Sequence, residues 1–217
     1  MSAGFQVGSG IGEILIDSTN IKMFLRHFGV ASSNIVVPAQ DPVVFVRPLI
    51  DGAGGGLLAA ANGSATVGIW GGACEYYVFD RPVSASALDA WNEQGVQIFT
   101  AAQRPLNIIG SVTVPNYFEG STGGWSAGWE YAGLQSGKYA YNQSYIRDGM
   151  QWQGAPGGGY TTNIWQESFR SRPNGFFISF SRFCLTLFGW RPLATSYGFL
   201  SNCPPCPVSI IDVAGIL

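Results

Sequence analysis

The sequence predicts an all-β protein, built of short antiparallel strands in sandwich- or barrel-like units. Three observations predict it. Short runs rich in Val, Ile, Phe and Tyr recur along the chain, each bounded by Gly, Pro, Asn or Asp, which is the pattern of strands closed by turns. No apolar period of a helix persists long enough to compete. Glycine is abundant, 30 of 217 residues, and charged residues make up only 11%, against roughly 25% in an average soluble domain.

The elements follow in order. Gly4 to Val7 and Glu13 to Asp17 read as two strands joined by the turn Gly8-Ser9-Gly10-Ile11-Gly12, where glycine supplies the positive φ that a hairpin needs. Asp17 and Ser18 can bond backbone N–H groups two residues on, so they end a strand and set the bend after it. Val43 to Arg47 is the next strand. Gly52 to Cys74 carries no charge. A membrane helix needs ~20 mostly apolar residues, and the glycines, Asn62, Ser64 and Thr66 make a poor one. A close-packed turn followed by a buried strand, Thr66 to Trp70, is the better reading. Tyr76 to Phe79, Ile108 to Val114, Phe176 to Phe180 and Cys184 to Phe188 continue the pattern.

A shift of 83 residues superposes the opening on a second copy without a gap. Phe5-Gln6-Val7 falls on Leu88-Asp89-Ala90, Gly12 on Gly95, Leu15-Ile16 on Ile98-Phe99, and Leu25 on Ile108. Ser86 to Trp91 also resembles a capped helix start, but propensity yields to tertiary context, and the repeat favours a hairpin. Three segments are expected: 1–83, an N-terminal β unit with a Gly-rich loop; 84–115, a second, related hairpin unit; and 116–217, a loop-rich aromatic β region with a Cys-Pro-Pro-Cys arm.

The charge balance, 11 basic against 13 acidic residues, excludes a nucleic-acid binder, which needs clustered Lys and Arg to displace counterions. With 47% hydrophobic residues the chain is no charge-rich disordered segment either. Met1-Ser2-Ala3-Gly4 lacks the basic start and apolar run of a secretion signal. So few charges suit a surface largely covered by neighbours.

Candidate chemistry is sparse. His27 is the sole histidine, so any Ser-His-Asp or Cys-His arrangement would depend on it; a surface or interface position is the simpler reading. Cys203-Pro204-Pro205-Cys206 is the most specific short motif. Two thiols on one side of a turn suit zinc, an iron–sulfur cluster or a redox disulfide, and Cys184 and Cys74 would complete a four-thiolate site. Reduced structural thiols or a local disulfide are the favoured reading, so no cofactor is expected, with iron–sulfur or zinc as the alternative. From Asn116 to Asn174 aromatic rings alternate with Gly, Ser, Asn and Gln, as in many recognition loops. Trp125, Trp129, Tyr131, Tyr139, Tyr141, Trp152 and Trp165 are the candidate binding or interface residues. Glu119, Glu130, Asp148 and Glu167 share this stretch, but spacing alone does not make a glycosidase pair, and no enzyme is expected.

Gly4-Phe5-Gln6-Val7, the glycine turn and Ile14-Leu15-Ile16-Asp17-Ser18, followed by Tyr77-Val78-Phe79-Asp80-Arg81-Pro82 and then Arg104-Pro105-Leu106-Asn107-Ile108-Ile109, resemble the small tail-tip (baseplate or minor tail) structural proteins of long-tailed bacteriophages. The resemblance covers residues 1–114. Thr100-Ala101 stands in the second copy where Asp17-Ser18 stands in the first. The resemblance implies a non-enzymatic component of a virion tail, assembled in the host cytoplasm in several copies with itself and other tail-tip proteins. A receptor-binding module that recognises a host surface glycan or pilus through the aromatic segment is the alternative.

Overall fold

The computed structural model describes residues 6–8, 14–17, 22–83, 86, 88–115, 128–154, 160–189, 197–199 and 205–217. Among them there is no helix and no closed barrel; the chain forms several antiparallel sheets. The first half contains β1 (Gln6–Gly8), β2 (Ile14–Asp17), β3 (Phe24–Ala31), β4 (Ile35–Pro38), β5 (Val43–Pro48), β6 (Gly54–Ala61), β7 (Ser64–Trp70) and β8 (Cys74–Asp80). The second contains β9 (Asp89–Trp91), β10 (Gln97–Thr100), β11 (Ile108–Val114), β12 (Gly128–Tyr131), β13 (Tyr139–Gln143), β14 (Asp148–Gly154), β15 (Tyr160–Arg172), β16 (Gly175–Gly189), β17 (Tyr197–Phe199) and β18 (Cys206–Asp212).

The hairpin repeat extends to the pairing register. In the first hairpin Gln6 pairs with Asp17, Val7 with Ile16 and Gly8 with Ile14, which leaves Leu15 as a bulge. In the second, Asp89 pairs with Thr100, Ala90 with Phe99 and Trp91 with Gln97, with the bulge at Ile98. Every pair is the other shifted by the sequence repeat. Ser86 and Asp89 do not cap a helix; they close the hairpin mouth. Ser86 N donates to Asp89 Oδ2 at 2.7 Å, and Ala101 N donates to Ser86 Oγ at 3.2 Å. The hydrogen bond from the Ser86 backbone holds the Asp89 carboxyl below the ordinary carboxylate range.

The duplication continues well beyond what the sequence discloses. A six-stranded sheet has the order β11-β18-β13-β5-β8-β3. In its first half the edge strand β3 pairs with the last strand β8, which pairs with the middle strand β5; β11, β18 and β13 repeat this arrangement. The registers agree as well. Leu25 pairs with Phe79 and Ala31 with Cys74, with a bulge at Arg26; Ile108 pairs with Ile211 and Val114 with Cys206, with a bulge at Ile109. The small sheets match too: β4-β7-β6 in one unit, and β12-β16-β15 in the other, where β14 and β17 are added. The two units join where the equivalent strands β5 and β13 pair antiparallel at Val46 and Tyr141. The large sheet therefore takes strands from all three segments expected from the sequence.

Strand alternation explains the layers. On one face, Val44, Val46, Cys74 and Val78 pack against Val37, Ala65, Val67 and Ile69 of the first small sheet. Further along the same face, Tyr141, Val208 and Ile210 pack against Phe169, Phe176 and Ile178 of the second. The opposite face buries Phe45, Tyr77, Phe79, Ala140 and Ile211, covered by Met23, Leu106 and Ile216. Each fully buried Val, Ile or Phe side chain among them contributes about 1.5–3 kcal/mol on burial.

Several expectations are corrected. The strands are not all short: β15 and β16 run 13 and 15 residues. Phe176 to Phe180 and Cys184 to Phe188 are one strand, because pairing with β15 continues through the polar residues between them. Gly54-Gly55-Gly56 is not a turn but the start of β6; the turn lies at Asn62 and Gly63, whose φ values of 52° and 74° suit a two-residue hairpin loop. Gly54 and Gly55 serve close approach instead, since a Cβ on Gly54 would lie 2.6 Å from Trp70 Nε1.

Candidate functional site

The second small sheet, where the aromatic segment folds, is the recognition site that the sequence suggests. β12 is its edge strand, and alternation turns Trp129 and Tyr131 to the same inner side, where they stack at 6.2 Å and pack on Phe176. From the facing sheet Tyr141, 1% exposed, stacks on Phe169 at 5.1 Å and meets Phe176 edge-on at 4.9 Å. Its hydroxyl donates to Gly175 O at 2.7 Å, and burial pushes its pKa up. Tyr139 is buried in the same cluster, its hydroxyl bonded to Gln135 O at 2.7 Å. Tyr139 and Tyr141 thus pack the chain's own core rather than offering themselves to a partner. Trp152 and Trp165 lie on β14 and β15, and Trp125 lies outside the described residues.

Beneath this cluster sits a charged pair whose pairing the sequence does not disclose. Arg147 and Glu167 are both fully buried. Arg147 Nε lies 3.0 and 2.9 Å from the two Glu167 carboxylate oxygens, and its Nη2 also donates to Oε1. Gln143 Nε2 donates to Glu167 Oε2 at 2.6 Å, and Arg147 Nη1 to Pro115 O at 2.9 Å. Trp70 Nε1 of the first unit donates to Glu167 O at 3.2 Å, which ties the two units together at this point. Glu130 sits on the opposite face of the same sheet, because its pairing row alternates with that of Glu167. Glu130 and Glu167 cannot converge on one bond as a glycosidase pair must. Glu119 lies outside the described residues.

A second charged cluster lies on the far face of the large sheet. Glu75 accepts from Tyr77 Oη at 2.7 Å and meets Lys138 Nζ at 3.0 Å and Arg47 Nη1 at 3.4 Å. Burial alone would raise the Glu75 pKa, but the bonds from Tyr77 and Lys138 and the charge of Arg47 hold it below the ordinary range. Lys138 comes from the second unit, so this cluster also spans the junction.

The cysteines are dispersed. Cys74 and Cys206 occupy equivalent positions, each at the start of its strand, and the junction reverses one unit relative to the other. Cys74 lies opposite Pro48, while Cys206 lies beyond the pairing of Gln143 with Val208, at the other end of the sheet. The supposed arm therefore begins a central strand. Cys184 pairs through its backbone with Ile164 on β15, and Cys203 lies outside the described residues. Among the described residues no cluster of His, Cys, Asp and Glu is placed to hold a metal ion. Burial pushes the Cys74 thiol up to about 12 and raises Cys206 as well. A thiol is reactive only as thiolate, so a maleimide at neutral pH should leave both unlabelled in the folded chain and label them in denaturant. Rapid labelling of Cys74 in the native protein would contradict this burial.

His27 lies on β3 with Nε2 3.0 Å from Pro38 O, a bridge between β3 and β4. Asp80, in the segment that carries the tail-tip resemblance, accepts from the backbone N of Gln40, Asp41 and Arg81 at 2.6, 2.9 and 2.8 Å. Tyr77, Phe79 and Asp80 are buried, so this motif closes a loop onto the core.

Two surface features have no signal in the sequence. One is a groove of about 340 Å³ between β6 and the ends of β5 and β13, lined by Val43, Val44, Gly56, Leu57, Asn142 and Gln143 among others, with no charged lining residue. Gln143 Oε1 is buried with no hydrogen-bond partner among the described groups. The other is a set of thirteen exposed large apolar side chains among the described residues, including Phe28, Val30, Val36, Leu58 and Trp91.

Fold and surface together define an all-β chain built by internal duplication, with most of the aromatic side chains among the described residues at least partly buried. Comparison with known protein families, characterised proteins and solved structures finds no match for the chain.

Proposed function

We propose that this chain is a non-enzymatic structural component of a phage tail tip, assembling in several copies with other tail proteins. The observation that carries the reading is the surface. Exposed area normally holds Lys, Glu, Asp and Arg, whereas this chain has 11% charged residues and, among the described residues, thirteen exposed large apolar side chains. A surface poor in charge suits contact with other molecules, because the cores of protein interfaces are depleted of charged residues. The ordered motifs over residues 1–114 direct the choice of assembly toward the tail tip. The groove adds no catalytic constellation to weigh against this.

The test is made on particles. Purified virions from a phage that encodes this chain should contain it in fixed stoichiometry, in the tail fraction, and deleting it should give particles with no tail or an incomplete tip. Absence of the chain from purified particles would sink the reading. Complete tails that no longer adsorb to cells would transfer the function to receptor binding.

A further inference from the structure

We infer that the hairpin tip at Asn62-Gly63 is a site of spontaneous covalent modification, where the asparagine side chain loses ammonia through a cyclic imide. The other Asn-Gly of the chain is shielded from the same reaction by its fold. Asn-Gly occurs twice in the sequence, at 62–63 and at 174–175. The duplication places both at the tip of the same hairpin, β6-β7 in the first unit and β15-β16 in the second. Each site is therefore the other's internal control. The inference goes beyond the tail reading and does not need it: the reaction is followed on purified chain, with no partner present.

The chemistry requires only the chain and water. The Gly63 backbone nitrogen gives up its proton and attacks Asn62 Cγ. A new C–N bond closes the imide, and the Cγ–Nδ2 bond breaks as ammonia leaves with a proton. Water then opens the ring at one of its two carbonyls. Opening at Cγ leaves an aspartyl residue at position 62. Opening at the main-chain carbonyl leaves an isoaspartyl residue, with the backbone rerouted through the side chain and one carbon longer. Glycine suits the attack because no side chain crowds its nitrogen. Either product puts a negative charge into Gly52 to Cys74, a stretch that carries none.

The two tips present the attacking nitrogen differently. In the first, Ala61 pairs with Ser64, so Asn62 and Gly63 form the two-residue loop and the Gly63 nitrogen lies outside the ladder. Both residues are exposed, and open space surrounds the position of a Gly63 Cβ. The loop is tethered through the Gly63 carbonyl, which accepts from Ala39 N at 3.0 Å. In the second tip the motif is shifted by one residue. Arg172 pairs with Gly175, so Pro173 and Asn174 form the loop and the attacking nitrogen belongs to the first rung of the ladder. Gly175 is buried, and a Cβ on it would run into Tyr131 O. The carbonyls of Pro173, Asn174 and Gly175 accept from Gly137 N, Leu134 N and Tyr141 Oη at 2.7, 2.9 and 2.7 Å. The Asn174 amide itself donates to Ala132 O at 3.4 Å. Ring closure at Asn174 thus requires opening a rung held against the aromatic core, whereas at Asn62 an exposed loop has only to relax. The free energy of such local openings varies from near zero in loops to the full stability in the core.

The experiment holds the full chain at mildly alkaline pH, native and in denaturant, and follows both Asn-Gly peptides over time by mass spectrometry with separation of the aspartyl and isoaspartyl products. In the native protein Asn62 is expected to convert at least about tenfold faster than Asn174. In denaturant the two rates are expected to come together, because both sites are then unrestrained Asn-Gly. Equal native rates, a faster Asn174, or no native conversion at Asn62 while the denatured chain converts overturns the inference. So does a difference of the same size that persists in denaturant, which would trace it to the adjoining residues and not to the fold.

Discussion

Arg147→Met is expected to lower the unfolding free energy by about 3–5 kcal/mol, the range seen when one partner of a buried ion pair is removed. The reason is that Glu167 would stay buried with its charge, keeping the bond from Gln143 but losing the guanidinium that neutralises it. The carbonyl of Pro115 would lose its bond from Arg147 too. An uncompensated charge in the interior costs more than the pair gained by forming. The double variant Arg147→Met/Glu167→Leu should therefore recover most of the loss, since it leaves no buried charge behind. Urea titration of the three proteins decides it. A single variant within about 1 kcal/mol of wild type would show that water reaches Glu167 and screens its charge.

Phe176→Ala is the second large effect, again about 3–5 kcal/mol. Phe176 is fully buried, with ring contacts to Tyr141, Phe169, Trp129 and Tyr131 at 4.9 to 6.0 Å. These rings come from four strands in two sheets, so the neighbours cannot collapse into the space without moving a sheet. Phe28→Ala is the matched control. Phe28 is 47% exposed on the edge strand β3, and its loss should stay within about 0.5 kcal/mol. Thermal unfolding of both variants gives the comparison; equal losses would mean that the aromatic cluster is not the core of the second unit.

The two hairpins are legible in the sequence because β1-β2 and β9-β10 are separated by a constant offset and contain their own turns. The remainder of the duplication is not. Beyond β11 the second unit lengthens β15 and β16 and inserts β14 and β17, so an ungapped comparison loses the alignment. Cys74 and Cys206 then become equivalent only through their pairing with β3 and β11. The glycines at 54–56 mislead for a related reason. Glycine marks turns locally, yet here it thins a strand that runs against Trp70, and the residue that needs the space is 16 positions away.

The chain by itself determined the all-β class, most strand positions, the opening repeat and the scarcity of charge, because these rest on neighbouring residues and on composition. Only the tertiary structure decided which face of each strand is covered. Alternation marks two faces and does not say which one another sheet overlies, so Tyr139 and Tyr141 read as contact residues until the second small sheet is placed over them. The same holds for Arg147 and Glu167, which become a buried pair within the chain only when β15 crosses the large sheet. Covering a face is a non-local event, fixed by strands far apart in the chain, and no local pattern encodes it.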